Sequence, residues 1–136
     1  MTSQLNVDTI VDKAGSGGTN VKMGNTSTYV SDGGAVTQNT VQGLAKAWYK
    51  ASSTITFSGT LNIGSGTDNG TGNYTFNYTN SMADTNYTVP CGGESGAART
   101  ITASSIAAGS LTVEDFNSSG TNTDGTTMAS IFGDLA

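Results

Sequence analysis

The side chains able to bind or react sort into aromatics, carboxylates and amides. The rings of Trp48, Tyr49, Tyr74, Tyr78 and Tyr87 can stack on sugar faces, and nearby Asn and Asp side chains can hydrogen-bond hydroxyls. Ten carboxylates are enough for a glycosidase pair, which needs two acids about 5–9.5 Å apart across the bond. The adjacent Glu114 and Asp115, however, point to opposite faces of a strand and read as solvated surface. Histidine is absent. That removes Ser-His-Asp and Cys-His nucleophile activation, histidine general bases and histidine-bound zinc, so the expectation is a protein that is not an enzyme.

The short motifs read as turns. Gly64-Ser65-Gly66 and Gly15-Ser16-Gly17-Gly18 neither end in Gly-Lys-Ser/Thr nor open a helix, as a phosphate loop must. Asp68-Asn69-Gly70-Thr71-Gly72-Asn73 has the look of a calcium loop, but Thr79 stands where a bidentate acid should close it. A hairpin tip is the expected structure, with no metal and no cofactor. Cys91, the single cysteine, has no Lys or Arg beside it and reads as a small buried apolar residue. Six Asn-x-Ser/Thr triplets occur. Those at Asn73, Asn77 and Asn86 belong to Asn-Tyr-Thr steps whose Asn and Thr share the polar face of a strand, so glycosylation is not expected.

Strands must position these residues. Asn73 to Thr79 alternates strictly, with Tyr74, Phe76 and Tyr78 on one face and Thr75, Asn77 and Thr79 on the other. Tyr87, Val89 and Cys91 repeat that period, and Pro90 marks an edge or strand end. Ile55, Phe57, Leu61 and Ile63, then Ile101, Leu111, Val113, Ile131 and Phe132, continue it. Gly-rich punctuation is expected at Gly64 to Gly72, Gly92 to Gly96 and Asn117 to Thr127. Leu44 to Lys50 fits a strand with Leu44 and Trp48 on one face and Ala45, Ala47 and Tyr49 on the other. A helix there would align Val41, Leu44 and Trp48, but Gly43 disfavours it. Trp48, Tyr74, Phe76 and Tyr78 are expected in the core or at a subunit interface. The fold class is therefore all-β, a small antiparallel β-sandwich or barrel over residues 44–136, forming a knob behind an extended N-terminal arm over residues 1–43.

Composition bears on assembly. Thr, Gly, Ser and Asn supply 70 of 136 residues, while Leu, Ile, Val and Phe number only 23. So thin a core, with 19 glycines to order, gains from surface buried between copies. The chain is expected to self-associate. A net charge of −5 with five scattered basic residues argues against nucleic acid as a partner. No apolar run approaches the roughly 20 residues that span a bilayer, so membrane insertion is not expected. The N-terminal residues lack a basic and apolar leader, which fits synthesis in the cytoplasm.

The loop tips are where a rigid β scaffold presents hydrogen-bonding groups. Asp68, Asn69, Asn117, Asn122 and Asp124 are the candidate ligand-binding residues, with Glu94 secondary to them. Each also suits a plain turn, since Asn and Asp bond their own backbone.

Three stretches resemble a known family. Leu5-Asn6-Val7-Asp8-Thr9-Ile10-Val11-Asp12, Gly43-Leu44-Ala45-Lys46-Ala47-Trp48, and Thr67 to Thr79 continuing into Met82-Ala83-Asp84-Thr85-Asn86-Tyr87 are similar to tail-fibre-like virion structural proteins of bacteriophages, notably those infecting aquatic bacteria. Ala51-Ser52-Ser53 departs from the more apolar continuation of that family. The resemblance implies a parallel homotrimer on the virion, in tail or capsid surface, made in the host cytoplasm. Its residues 1–43 would join other virion proteins, and its C-terminal β domain would face outward and assist adhesion to host-surface glycans. The alternative expectation is a capsid decoration or cement protein that stabilises the head lattice.

Overall fold

Period-two alternation decides which side chains of a half-buried strand face inward, and the described residues of the computed structural model form ten strands, the core ones with that alternation. The model describes residues 43–94 and 97–136, together with the backbone of two short strands at 28–30 and 37–39. The chain divides into two compact units, Met1–Val41 and Gln42–Ala136. In the first, β1 (Thr28–Val30) and β2 (Thr37–Asn39) pair antiparallel, Tyr29 opposite Gln38. The rest of the expected arm, on which the expected joining to virion proteins falls, lies outside the described residues.

The second unit is a small antiparallel β-sandwich with no helix among its described residues. Its strands are β3 (Ala45–Ala51), β4 (Phe57–Leu61), β5 (Ile63–Gly70), β6 (Asn73–Tyr78), β7 (Cys91–Glu94), β8 (Arg99–Ala107), β9 (Ser110–Asn117) and β10 (Thr126–Phe132). They form two four-stranded sheets, ordered β4-β3-β10-β7 and β5-β6-β9-β8. Inward positions of the first sheet carry Ala47, Tyr49, Ala51, Ala129 and Ile131; those of the second carry Tyr74, Phe76, Tyr78, Leu111 and Val113. The Tyr49 and Phe76 rings stack between the sheets at 3.8 Å. Met82 and Tyr87, from the β6–β7 connection, complete the core.

Small residues in the first sheet set against aromatics in the second let a chain poor in aliphatics fill the space between them. Full burial of a ring such as Phe76 stabilises by about 1.5–3 kcal/mol, so a few aromatics carry much of the core. The chain passes from β4 in one sheet to β5 in the other through Asn62 alone, whose φ of 58° is the left-handed conformation Asn tolerates. Its side chain holds that corner, accepting from Asn80 N at 2.7 Å and donating to Asn80 O at 2.9 Å.

Three expectations are corrected. Gly64 to Gly70 is not a turn but lies within β5, because Gly66 makes room there: a Cβ would collide with Ile55 and crowd Phe57 and Phe76. Likewise Gly92 and Gly93 lie in β7, where a Cβ on Gly93 would collide with Ile101. Tyr87 and Val89 precede that strand, and their segment meets β10 through an isolated bridge, Thr88 to Phe132, and a hydrogen bond from Ser130 N to Pro90 O at 3.2 Å. Of the four residues expected in the core or at a subunit interface, Tyr74, Phe76 and Tyr78 are in the core, while Trp48 lies on the outward side of β3 because the buried Ala47, Tyr49 and Ala51 occupy the inward register. The strand expected at Leu44 to Lys50 is β3, with the facing that its alternation implies.

Candidate functional site

The candidate loop residues fall on two loops, which the fold joins at one end of the sandwich. Asp68 and Asn69 end β5 beside the hairpin turn at 71–72, and Asn117 ends β9. Asn122 and Asp124 lie in the β9–β10 connection, where Asn122 bridges to Phe116.

Among the described residues, each of these side chains except Asn122 makes a hydrogen bond. Asp68 Oδ1 accepts from Gly70 N at 2.9 Å, and Asn69 Nδ2 donates to Asn73 Oδ1 and Thr75 Oγ1, both at 2.9 Å. Asn117 Oδ1 accepts from Ser119 N and Thr121 N, closing the turn that contains Gly120 at φ 76°. Asp124 reaches across to the other loop. Its Oδ1 accepts from Gly72 N at 2.8 Å and from the Tyr74 hydroxyl at 3.1 Å. Asp68, Asn69 and Asp124 are exposed and Asn117 half-buried; of the two aspartates, Asp68 bonds only within its own turn, whereas Asp124 holds the other loop.

Beneath the tip lies an ion pair the sequence reading missed. Asp115 is fully buried, contrary to the solvated surface expected for Glu114 and Asp115. Arg99 supplies its counter-charge from β8: Nε donates to Oδ1 at 2.9 Å, one terminal nitrogen bonds Oδ2, and the same nitrogen donates to Thr123 O at 3.0 Å. The Asp115 backbone takes part too, since its N–H donates to Gly72 O at 2.8 Å and its carbonyl accepts from Thr123 N at 2.9 Å. Gly125 lies against the guanidinium, where a Cβ would collide with it. Asp115 continues the inward series of Leu111 and Val113, a signal that was present in the sequence.

The electrostatics of the end follow from burial. Desolvation pushes the Tyr74 phenol up to about 12, and its hydrogen bond to Asp124 adds to this. Burial also raises Tyr49, Tyr78 and Tyr87, with the Tyr78 hydroxyl donating to Tyr87 at 3.2 Å. Burial raises the Cys91 thiol, so it is not an activated nucleophile.

Of the five aromatics considered for sugar stacking, four tyrosines are committed to the core and Trp48 alone is substantially exposed. It borders a groove of about 370 Å³ on the outer face of the first sheet, with Lys50, Pro90, Gly92, Met128 and Ser130. Lys50 pairs there with Glu94 at 2.5 Å, which places Glu94 beside this groove rather than at the hairpin tip. Among the described residues, no group of three or more Cys, Asp or Glu side chains converges as metal ligands would. Comparison with known proteins gives no matching family model, no matching curated protein and no matching solved structure.

Proposed function

We propose that this chain is a non-enzymatic structural protein of a bacteriophage particle, of tail-fibre type, displayed as a homotrimer and assisting adhesion to host-surface glycans. One observation supports the display role above the others. The β5–β6 tip and the β9–β10 loop are locked together by Asp124 and by the Arg99–Asp115 pair, so the exposed Asp68 and Asn69 stand on a fixed platform. Loops held by a rigid scaffold are where binding groups are best presented. Contacts at such a shallow tip are weak singly, and three copies repeated over a particle multiply them through effective concentration.

The test is adsorption. Particles carrying Asp68→Ala with Asn69→Ala are expected to assemble in normal yield and to adsorb to host cells more slowly. Unchanged adsorption combined with fragile heads would reject adhesion and favour the capsid-decoration reading.

A further inference from the structure

Asn69 is the only asparagine of the chain that a glycine follows. The order matters because the backbone nitrogen of the next residue can attack an asparagine's side-chain carbon and close a five-membered imide ring. A Cβ on that next residue obstructs the approach and narrows the backbone angles it needs, and glycine does neither. Every other asparagine precedes a residue with a Cβ, as Asn73 and Asn117 do before Tyr74 and Ser118.

Local structure leaves the pair open. Asp68 stands opposite Tyr74 and Gly70 opposite Asn73, so Asn69 is the extra residue of a bulge, with no partner of its own in the β5–β6 register. Both Asn69 and Gly70 are exposed. Gly70 has φ +120°, and a Cβ there would meet nothing within 4 Å. Water reaches the site, and the backbone has room to turn.

Side chains stand at both ends of the reaction. Asp68 Oδ1 accepts from Gly70 N at 2.9 Å, so a carboxylate is already bonded to the proton that the attacking nitrogen must lose. Asn69 Nδ2, the nitrogen that would leave, donates to Asn73 Oδ1 and Thr75 Oγ1, both at 2.9 Å. As that nitrogen gains a proton and positive charge, the two bonds strengthen, since a charged donor bonds roughly twice as strongly as a neutral one. They hold the departing group more tightly than the resting amide.

We propose that Asn69 is a self-modification site, at which the folded chain converts its own amide to a carboxylate. The bond from Gly70 N to Asn69 Cγ forms as Asp68 takes the N–H proton. The Cγ–Nδ2 bond then breaks, and the proton departs with Nδ2 as ammonia. Water opens the imide at either carbonyl, giving aspartate or isoaspartate at position 69. The product sets a second carboxylate beside Asp68 and can no longer donate to Asn73 and Thr75, so the displayed tip changes with age. That the change alters adhesion rests on the tip reading above; the conversion itself does not.

The experiment follows the full chain in neutral buffer by mass-spectrometric peptide mapping, beside the same chain unfolded in urea. Asn69 is expected to convert faster folded than unfolded, with Asn73 and Asn117 unchanged in the folded chain, and hydroxylamine, which cleaves imides, should cut between Asn69 and Gly70. Asp68→Asn keeps an acceptor for Gly70 N but supplies no base. It is expected to slow the conversion at least about tenfold with the β circular dichroism of the wild type. Asn69 that survives in the folded chain while converting in urea would overturn the proposal, the native bonds then being protective. Equal rates in wild type and Asp68→Asn would overturn it as well. Unchanged adsorption of particles whose Asn69 is fully converted would reject the tip as the contact surface and leave the self-modification standing.

Discussion

Arg99 and Asp115 form a forked ion pair across β8 and β9, with the carboxylate fully buried and the guanidinium nearly so. Arg99 pairs in the ladder with Asn117, two residues beyond Asp115, so its side chain reaches back diagonally across the inner face. The third donor contact, to Thr123 O, carries the same network into the β9–β10 loop. The pair therefore ties the second sheet to the loop whose Asp124 holds the hairpin tip.

Breaking one side of this pair leaves a buried charge without a partner, at a cost of about 3–5 kcal/mol. Arg99→Leu is expected to lower stability by that amount in urea unfolding. Arg99→Leu with Asp115→Leu should recover much of the loss, since an apolar pair needs no counter-charge. A change below about 1 kcal/mol for the single variant would mean that Asp115 reaches water.

Gly72 combines two constraints that separate it from the other turn glycines. Its φ is +65°, and a Cβ would sit 2.6–2.9 Å from backbone atoms of Asp115 and Thr123. Gly120 has φ +76° but open space around it. Gly120→Ala is expected to cost the left-handed penalty of about 1–2 kcal/mol. Gly72→Ala should cost clearly more, because the loop must also move away. Equal shifts in urea midpoint would contradict the close packing of the two loops.

Asp124 and Asp68 differ in what their loss would do. Asp124→Ala removes acceptors for Gly72 N and the Tyr74 hydroxyl and is expected to cost about 1–3 kcal/mol, whereas Asp124→Asn keeps an acceptor and should cost less. Asp68→Ala loses one exposed contact within its own turn and should change stability by about 1 kcal/mol or less. Thermal unfolding of the three variants checks the order. Asp68 more costly than Asp124 would reverse the roles assigned here.

Alkaline pH should unfold the sandwich. The four core tyrosines have folded pKa values above the ordinary 10.0, with Tyr74 at about 12. Their raised values mean that the folded state holds the phenolic proton more tightly, so this contribution is intact below pH 10 and is lost as pH rises toward 12 and beyond. Phenolate absorbance and loss of β circular dichroism are expected to appear together above pH 10. Phenolates of all four forming near pH 10 with the sheets intact would contradict their burial.

Much of this architecture is legible from alternation. Tyr74, Phe76 and Tyr78 are readable as inward because a half-buried strand forces period two, and β3 follows from the same rule. Glycine misleads, since Gly66 and Gly93 resemble turn residues while sitting in strands to admit Ile55 and Ile101 from elsewhere in the chain. Those admissions are tertiary, and no local pattern carries them. At the tip, Asp115 sits in the inward register after Leu111 and Val113, yet a carboxylate there makes sense only once Arg99, 16 residues away, is placed beside it. Trp48 is the converse case. Its bulk reads as core material, but its register faces outward and Gly59 gives it a place to lie.

The measurement that most directly tests the proposed tail-fibre role is whether and where this chain sits on purified phage-like particles from cells that produce it, by immunogold electron microscopy with copy number from quantitative mass spectrometry. Label on the tail, in a copy number that is a multiple of three, is the expected result. Label spread over the head in a number matching the capsid lattice, or no label on the particle, would contradict the tail-fibre role.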